Sequence, residues 1–244
     1  MSSNIPFTKE NLNDYLKELA KEFRKLNGTA MPAEIILIGG AAVLANYGFR
    51  DMTYDIDAVI MDSSAMKEAI NRVGDKNGLP NGWLNADFKK TASYSDKLSE
   101  VSVYYKTFSN ILTVRTVAAE YLIAMKLMSG RQYKNDLSDV AGILLEHQKI
   151  NRPIAREAID KAVAVLYGEN AKLPPVSRET IDDAFSDGDY ERAYRKLRTL
   201  EKDAKEILVK FDKSYPGELK PDNIDTVLER AKRRQHKDDR ESGN

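Results

Sequence analysis

The sequence contains no cysteine and only two histidines, His147 and His236. A disulfide framework, a thiolate-ligated zinc and a thiol nucleophile are therefore excluded. Neither a His-based metal cage nor a His-dependent triad is expected. Neither sign of charge is in excess: 38 Lys and Arg balance 38 Asp and Glu across 244 residues. This excludes a nucleic-acid binder that works by bulk positive charge, though not one with a local basic patch. The longest apolar stretch, between Glu34 and Asn46, is broken by Gly39 and Gly40 and is too short to span a bilayer. The first residues, Met-Ser-Ser-Asn-Ile-Pro, show no basic region followed by an apolar core, so no secretion signal is expected. There is no Gly-Lys-Ser/Thr phosphate loop and no Gly-x-Ser-x-Gly elbow. A soluble, cytoplasmic protein without membrane contact is the expectation.

With 42% hydrophobic residues, the chain can build a packed core. Leu12, Tyr15, Leu16, Leu19, Phe23 and Leu26 recur at helical spacing, predicting a helix over 8–26 capped by Thr8. Ile35–Ile38 reads as a short buried strand, followed at once by Gly39-Gly40 and a helix over 41–47. Further strands are expected at 53–60, 83–88, 101–105 and 111–115, with a helix over 65–73 capped by Ser63 or Ser64. From Thr116 onward the chain reads as helical, over 117–128, 135–146, 154–167, 177–187, 189–213 and 221–237. The expected architecture is α+β. A mixed-sheet domain occupies residues 1–115, a helical domain residues 116–227, and a charged, disordered tail residues 228–244.

Two short motifs carry the chemistry. In Thr53-Tyr54-Asp55-Ile56-Asp57 the two aspartates alternate along a strand, so they share a face roughly 7 Å apart at the backbone. Two carboxylates in one buried site repel unless a cation neutralises them, and a hard ion such as Mg²⁺ suits oxygen donors. Gly39-Gly40 supplies the second motif, where a strand ends and a helix opens. Without Cβ atoms the backbone can approach a polyphosphate, and the helix N-terminus offers unpaired N–H groups. Each motif alone has an ordinary reading, as a plain turn or a polar strand face; their joint order is more specific.

Gly39-Gly40, then Arg50 and Thr53, then Asp55-Ile56-Asp57 resembles the nucleotidyltransferase superfamily built on the polymerase-β palm. Within it, the chain is similar to AbiEii-type toxins and related stand-alone bacterial nucleotidyltransferases. A second block, Glu120 to Leu127 followed by Arg131, Lys134, Asp136 and Asp139, resembles that family's Leu-Ala-x-Lys-Leu helix and Lys-Asp-x-x-Asp segment, with Asn135 inserted. The resemblance implies metal binding by Asp55 and Asp57, with Mg²⁺ as cofactor. It implies nucleotide binding at Gly39, Gly40, Thr53 and Arg131, and a catalytic role for Lys126 near the triphosphate. Asp136, with Asp139 as the alternative, matches the later acid of the active site. In many members the glycine turn is Gly-Ser, so this chain lacks that serine hydroxyl.

Read from the residues alone, Lys126 can also be a helix-surface lysine, and Asp136 and Asp139 can simply complement a helix dipole. The strands at 101–105 and 111–115 hold no acid, which leaves Asp87 as the nearby candidate for a third carboxylate. The expected activity is Mg²⁺-dependent transfer of a nucleotide from an NTP to a hydroxyl of tRNA or protein. A toxin with a cognate antitoxin partner would do this. The alternative is an inactive homologue that acts as a protein-binding module.

Overall fold

The computed structural model describes residues 5–60, 63–220, 223–231 and 233. The first helix, α1 (Lys9–Asn27), starts where the sequence places it. Thr8 accepts a hydrogen bond from Asn11 N–H, and the Asn11 side chain accepts one from Thr8 N–H. This reciprocal cap satisfies two N–H groups that a helix start leaves without partners. The apolar face of α1 buries Leu12, Leu16, Leu19 and Phe23.

Five strands form one mixed sheet: β1 (Ala33–Leu37), β2 (Ile56–Ile60), β3 (Leu84–Asn85), β4 (Ser102–Phe108) and β5 (Leu112–Val117), in the order β3-β2-β1-β5-β4. β1 lies in the middle, antiparallel to β2 and parallel to β5. Its Ile35 and Leu37 are fully buried, as an apolar run covered on both faces requires. β4 and β5 form a hairpin whose turn residues Ser109 and Asn110 both take positive φ, the geometry that matches strand twist.

Two strands depart from expectation. The strand expected over 83–88 is only two residues long, because Asn85 Oδ1 accepts a hydrogen bond from Asp87 N–H and turns the chain into a 3₁₀ segment, Asp87–Lys90. Local side-chain bonding of this kind competes with the ladder. Trp83 is core, its Nε1–H donating to Ile70 O. β2 begins at Ile56 rather than Thr53. Thr53 makes a lone antiparallel bridge with Phe7, and its hydroxyl donates to Asp55 O, so the chain bends before entering the sheet.

The crossover from β1 to β2 runs through α2 (Gly39–Asn46), and the one from β2 to β3 through α3 (Ser64–Asn77), capped by Ser63. After β5 come α4 (Ala119–Ser129), α5 (Asp136–Lys149), α6 (Arg156–Tyr167), α7 (Pro175–Asp187) and α8 (Tyr190–Ser214). α4 packs on α2, α5 and α6, and α5 packs along α8. One apolar cluster extends from Phe7 through the sheet to Ile181, Ala184 and Tyr190. Residues 224–231 are helical, and Leu228 is buried against Ala204 and Leu208 of α8. Beyond residue 231, the expected tail lies outside the described residues except for residue 233.

Candidate functional site

The site begins where β1 meets α2. Ile38 N–H donates to Asp57 O, so the end of β1 and the start of β2 lie side by side. Gly39 follows with φ +53, a conformation that disfavours any side chain. A Cβ on Gly39 would stand 3.8 Å from Asp57 Oδ2. A Cβ on Gly40 would stand 2.8 Å from Thr53 Oγ1 and 3.0 Å from an Arg50 guanidinium nitrogen. No side chain caps α2, and its first turn holds no acid. A positive helix end with bare backbone therefore sits beside the two aspartates.

Asp55 is exposed and Asp57 half-buried. Burial pushes the Asp57 carboxyl above its ordinary value, and the neighbouring Asp55 charge adds to the shift. Among the described residues, no group of three or more His, Asp or Glu is gathered as a metal cluster. Asp87 lies just past β3, largely exposed and 3.3 Å from Lys90 Nζ.

Two clefts include the aspartates in their lining. One, of about 970 Å³, reaches from Thr53 and Asp55 to Tyr194, Arg198 and Lys205 on α8. The other, of about 330 Å³, is lined by Asp87, Phe88, Ser93 and Met125. They share Gly40, Asp55, Asp57, Lys126, Arg131 and Asp136. Gly39, Gly40, Thr53, Asp55, Asp57, Asp87, Lys126, Arg131, Asp136 and Asp139 each line one cleft or the other.

Behind the aspartates lies a network of ion pairs. Lys126 Nζ is 2.9 Å from Asp136 Oδ1 and 2.8 Å from Asp139 Oδ2. Arg131 Nε donates to Asp136 Oδ2 at 2.7 Å, and Arg50 Nη1 donates to Asp139 at 2.5 Å. Lys126 is only 6% exposed. Burial opposes its charge, yet Asp136 and Asp139 outweigh burial and raise its proton affinity. Burial likewise opposes the Asp136 charge, but Lys126 and Arg131 together hold that carboxyl well below the usual range. Three cations thus face two acids. Lys126 and Arg131 both favour ionised Asp57. Both Asp136 oxygens are taken by these cations.

A further acid was not visible in the sequence as part of the site. Asn135, the residue before α5, makes no capping bond with its side chain. Glu201 of α8 does so instead. Its Oε1 accepts from Leu137 N–H at 2.9 Å and Ser138 N–H at 3.1 Å, and its Oε2 accepts from the Ser138 hydroxyl at 2.5 Å. Burial pushes the Glu201 carboxyl up to about 7, against the hydrogen bonds that favour its charge.

The profile of a family described as "Nucleotidyltransferase of unknown function (DUF6036)" matches residues 14–173, nearly two thirds of the chain. The chain belongs to this family. No curated protein and no solved structure matches it. As a nucleotidyltransferase-family chain it carries Gly39, Gly40, Asp55, Asp57, Lys126, Arg131 and Asp136 inside the matched region, whereas α7 and α8 lie outside it. Arg198, Lys205 and Glu201 on α8 could not be assigned to the site from sequence, because a charged amphipathic helix gives no sign of which neighbour it packs on. Arg50 belongs to the motif as quoted, but only the fold shows its guanidinium against the glycine turn. Among the described residues, no helix is long and apolar enough to cross a membrane.

Proposed function

We propose that the protein is a Mg²⁺-dependent nucleotidyltransferase that moves a nucleoside monophosphate from an NTP to a hydroxyl of tRNA or protein. One observation carries this reading: the Asp55–Asp57 pair lies against the Gly39-Gly40 turn at an uncapped helix start, with Lys126 and Arg131 beside it. The donors fit the ion. They are two carboxylate oxygens at the mouth of a cleft, and Mg²⁺ commonly binds one or two carboxylates and completes its shell with water and substrate phosphate. When bound, the ion would neutralise phosphate charge and polarise the α-phosphate.

The chain's own residues do the rest. Backbone N–H groups at Gly39 and Gly40 hold the β- and γ-phosphates. Arg131, Lys126 and Arg50 supply positive charge where negative charge develops on the leaving pyrophosphate. The acceptor oxygen attacks the α-phosphorus in line, forming one P–O bond as the bond to pyrophosphate breaks. Asp87, which lines the smaller cleft together with Asp57, would take the hydroxyl proton. Asp136, engaged by two cations, orients them rather than acting as a base. The toxin role, with a cognate antitoxin as partner, rests on the resemblance to AbiEii-type proteins.

The second reading is a binding-only homologue, favoured by the lack of a third acid gathered with the aspartate pair among the described residues. The deciding experiment incubates the protein with Mg²⁺ and each α-labelled NTP, together with total tRNA or lysate protein. Label entering one pool, and lost in Asp57→Ala, supports transfer. Label in neither pool, with NTP binding indifferent to Mg²⁺, refutes it.

A further inference from the structure

The first turn of α5 carries an unusual load of negative charge. Asp136 and Asp139 lie in it, and Glu201 reaches it from α8, across more than sixty residues of sequence. An aspartate in a first helical turn ordinarily satisfies its own helix's N–H groups or the positive end of the dipole. Here neither does. Asp136 is spent on Lys126 and Arg131, and Asp139 on Lys126 and Arg50. The two N–H groups between them, on Leu137 and Ser138, are taken by Glu201. All three acids are buried, with Glu201 4% exposed.

We propose that Glu201 is a positioning residue for the transfer site. By taking over the α5 N–H groups it releases Asp136 and Asp139 to hold the three cations beside Asp57. The inference rests on the nucleotidyltransferase reading, but its physical core does not. Successive helical residues differ by about 100° in direction, so a frayed or rotated first turn would carry one aspartate or both away from Lys126. An aspartate released from its cation would also be drawn to the bare N–H groups of its own helix. Arg50 would then lose its anchor beside Gly40, and Lys126 would lose its buried partners. The same bonds fix α8, which walls the larger cleft, in register with the catalytic cations.

The charge of Glu201 is not the operative feature; its acceptor oxygen is. Glu201→Gln keeps an oxygen for Leu137 and Ser138 N–H, whereas Glu201→Ala leaves both without a partner. Ser63→Ala, which removes the side-chain cap of α3, a helix that lines neither cleft, provides a matched loss of one helix cap. Two readouts are taken on all three variants: transfer kinetics with Mg²⁺ and NTP, and hydrogen–deuterium exchange over segments 49–57, 121–131 and 136–140.

Glu201→Ala is expected to accelerate exchange in 49–57 as well as 136–140. Its kcat/KM for transfer should fall by about tenfold to a hundredfold, as misplaced catalytic groups do. Glu201→Gln should stay within about threefold of wild type, and Ser63→Ala should change neither segment 49–57 nor transfer. If Glu201→Ala changes exchange only at 136–140 and leaves kcat/KM intact, Glu201 is a helix cap and nothing more. If wild type transfers nothing, the functional reading fails by itself. The exchange at 49–57 then still decides whether Glu201 holds the network. Should Glu201→Ala not fold, Glu201→Asp, one methylene shorter, serves in the same comparison.

Discussion

Gly39 and Asp57 face each other across the junction of two strands, so close that a Cβ on the glycine would lie 3.8 Å from the carboxylate. The helix end that would attract phosphate and the acid that would attract a cation are thus one surface. The folded Asp57 carboxyl holds its proton more tightly than an unfolded one, through burial and then through Asp55. Its contribution to stability is therefore complete below about pH 4 and is lost as pH rises through the folded value. Asp57→Asn should raise the unfolding midpoint at pH 7 and flatten this acid-side slope, while abolishing transfer. Mg²⁺ should raise the midpoint of wild type and leave the variant unmoved. A wild-type midpoint indifferent to Mg²⁺ would remove these carboxylates from the metal site.

Lys126 is a buried charge with two buried partners. Removing it leaves each acid with its one arginine but with one charged hydrogen bond fewer, at a cost of about 1–3 kcal/mol. Lys126→Met should destabilise by that order in urea titration. Adding Asp139→Asn should recover part of the loss, because that acid no longer needs a partner. Additive losses in the double variant would show that the contact is not energetically coupled.

Arg50 reaches Asp139 with one nitrogen while another lies near the glycine turn. Lysine has the charge but not the fork. Arg50→Lys should keep the fold and raise KM for NTP by about tenfold, equivalent to about 1.4 kcal/mol. An unchanged KM would reduce Arg50 to a strut between the loop and α5.

Phe49 lies on Gly142 of α5, where a Cβ would come within 2.6 Å of the ring. Tyr194 of α8 donates to Phe49 O from the other side. Gly142→Ala must push this ring away, at a cost of about 1–3 kcal/mol. It should disturb the 49–55 loop and lower transfer without touching a proposed ligand. A crystal structure of the variant with Phe49 unmoved would contradict this.

Burial raises the Glu201 carboxyl to about 7. A group raised in the folded state gives stability that is complete below its unfolded value and is lost as pH climbs towards 7. The size of that loss is at most about 3 kcal/mol. Denaturation at pH 5 and pH 8 should show wild type losing stability between them by more than Glu201→Gln does. Parallel curves for the two proteins would show that Glu201 does not titrate in this window.

Much of the fold was legible because its signals are local. Helical spacing and Thr8 marked α1, and the run Ile35–Ile38 marked the central strand. Gly39-Gly40 and Asp55-Ile56-Asp57 marked the candidate site through their order along the chain. What depends on local competition was misread. The strand expected at 83–88 yielded to a turn that Asn85 closes with its own side chain. The start of β2 moved because Thr53 pairs with Phe7, a partner distant in sequence.

By itself the sequence determined an α+β chain with two alternating acids that follow a glycine turn and one helix, since periodicity and short spacings are properties of neighbours. Only the tertiary structure decided that Lys126 is buried between Asp136 and Asp139, that Arg50 crosses to α5, and that Glu201 caps a helix it is far from in sequence. The reason is physical. A buried charge survives only with partners, and which partners can reach it depends on how helices pack, which no linear spacing records.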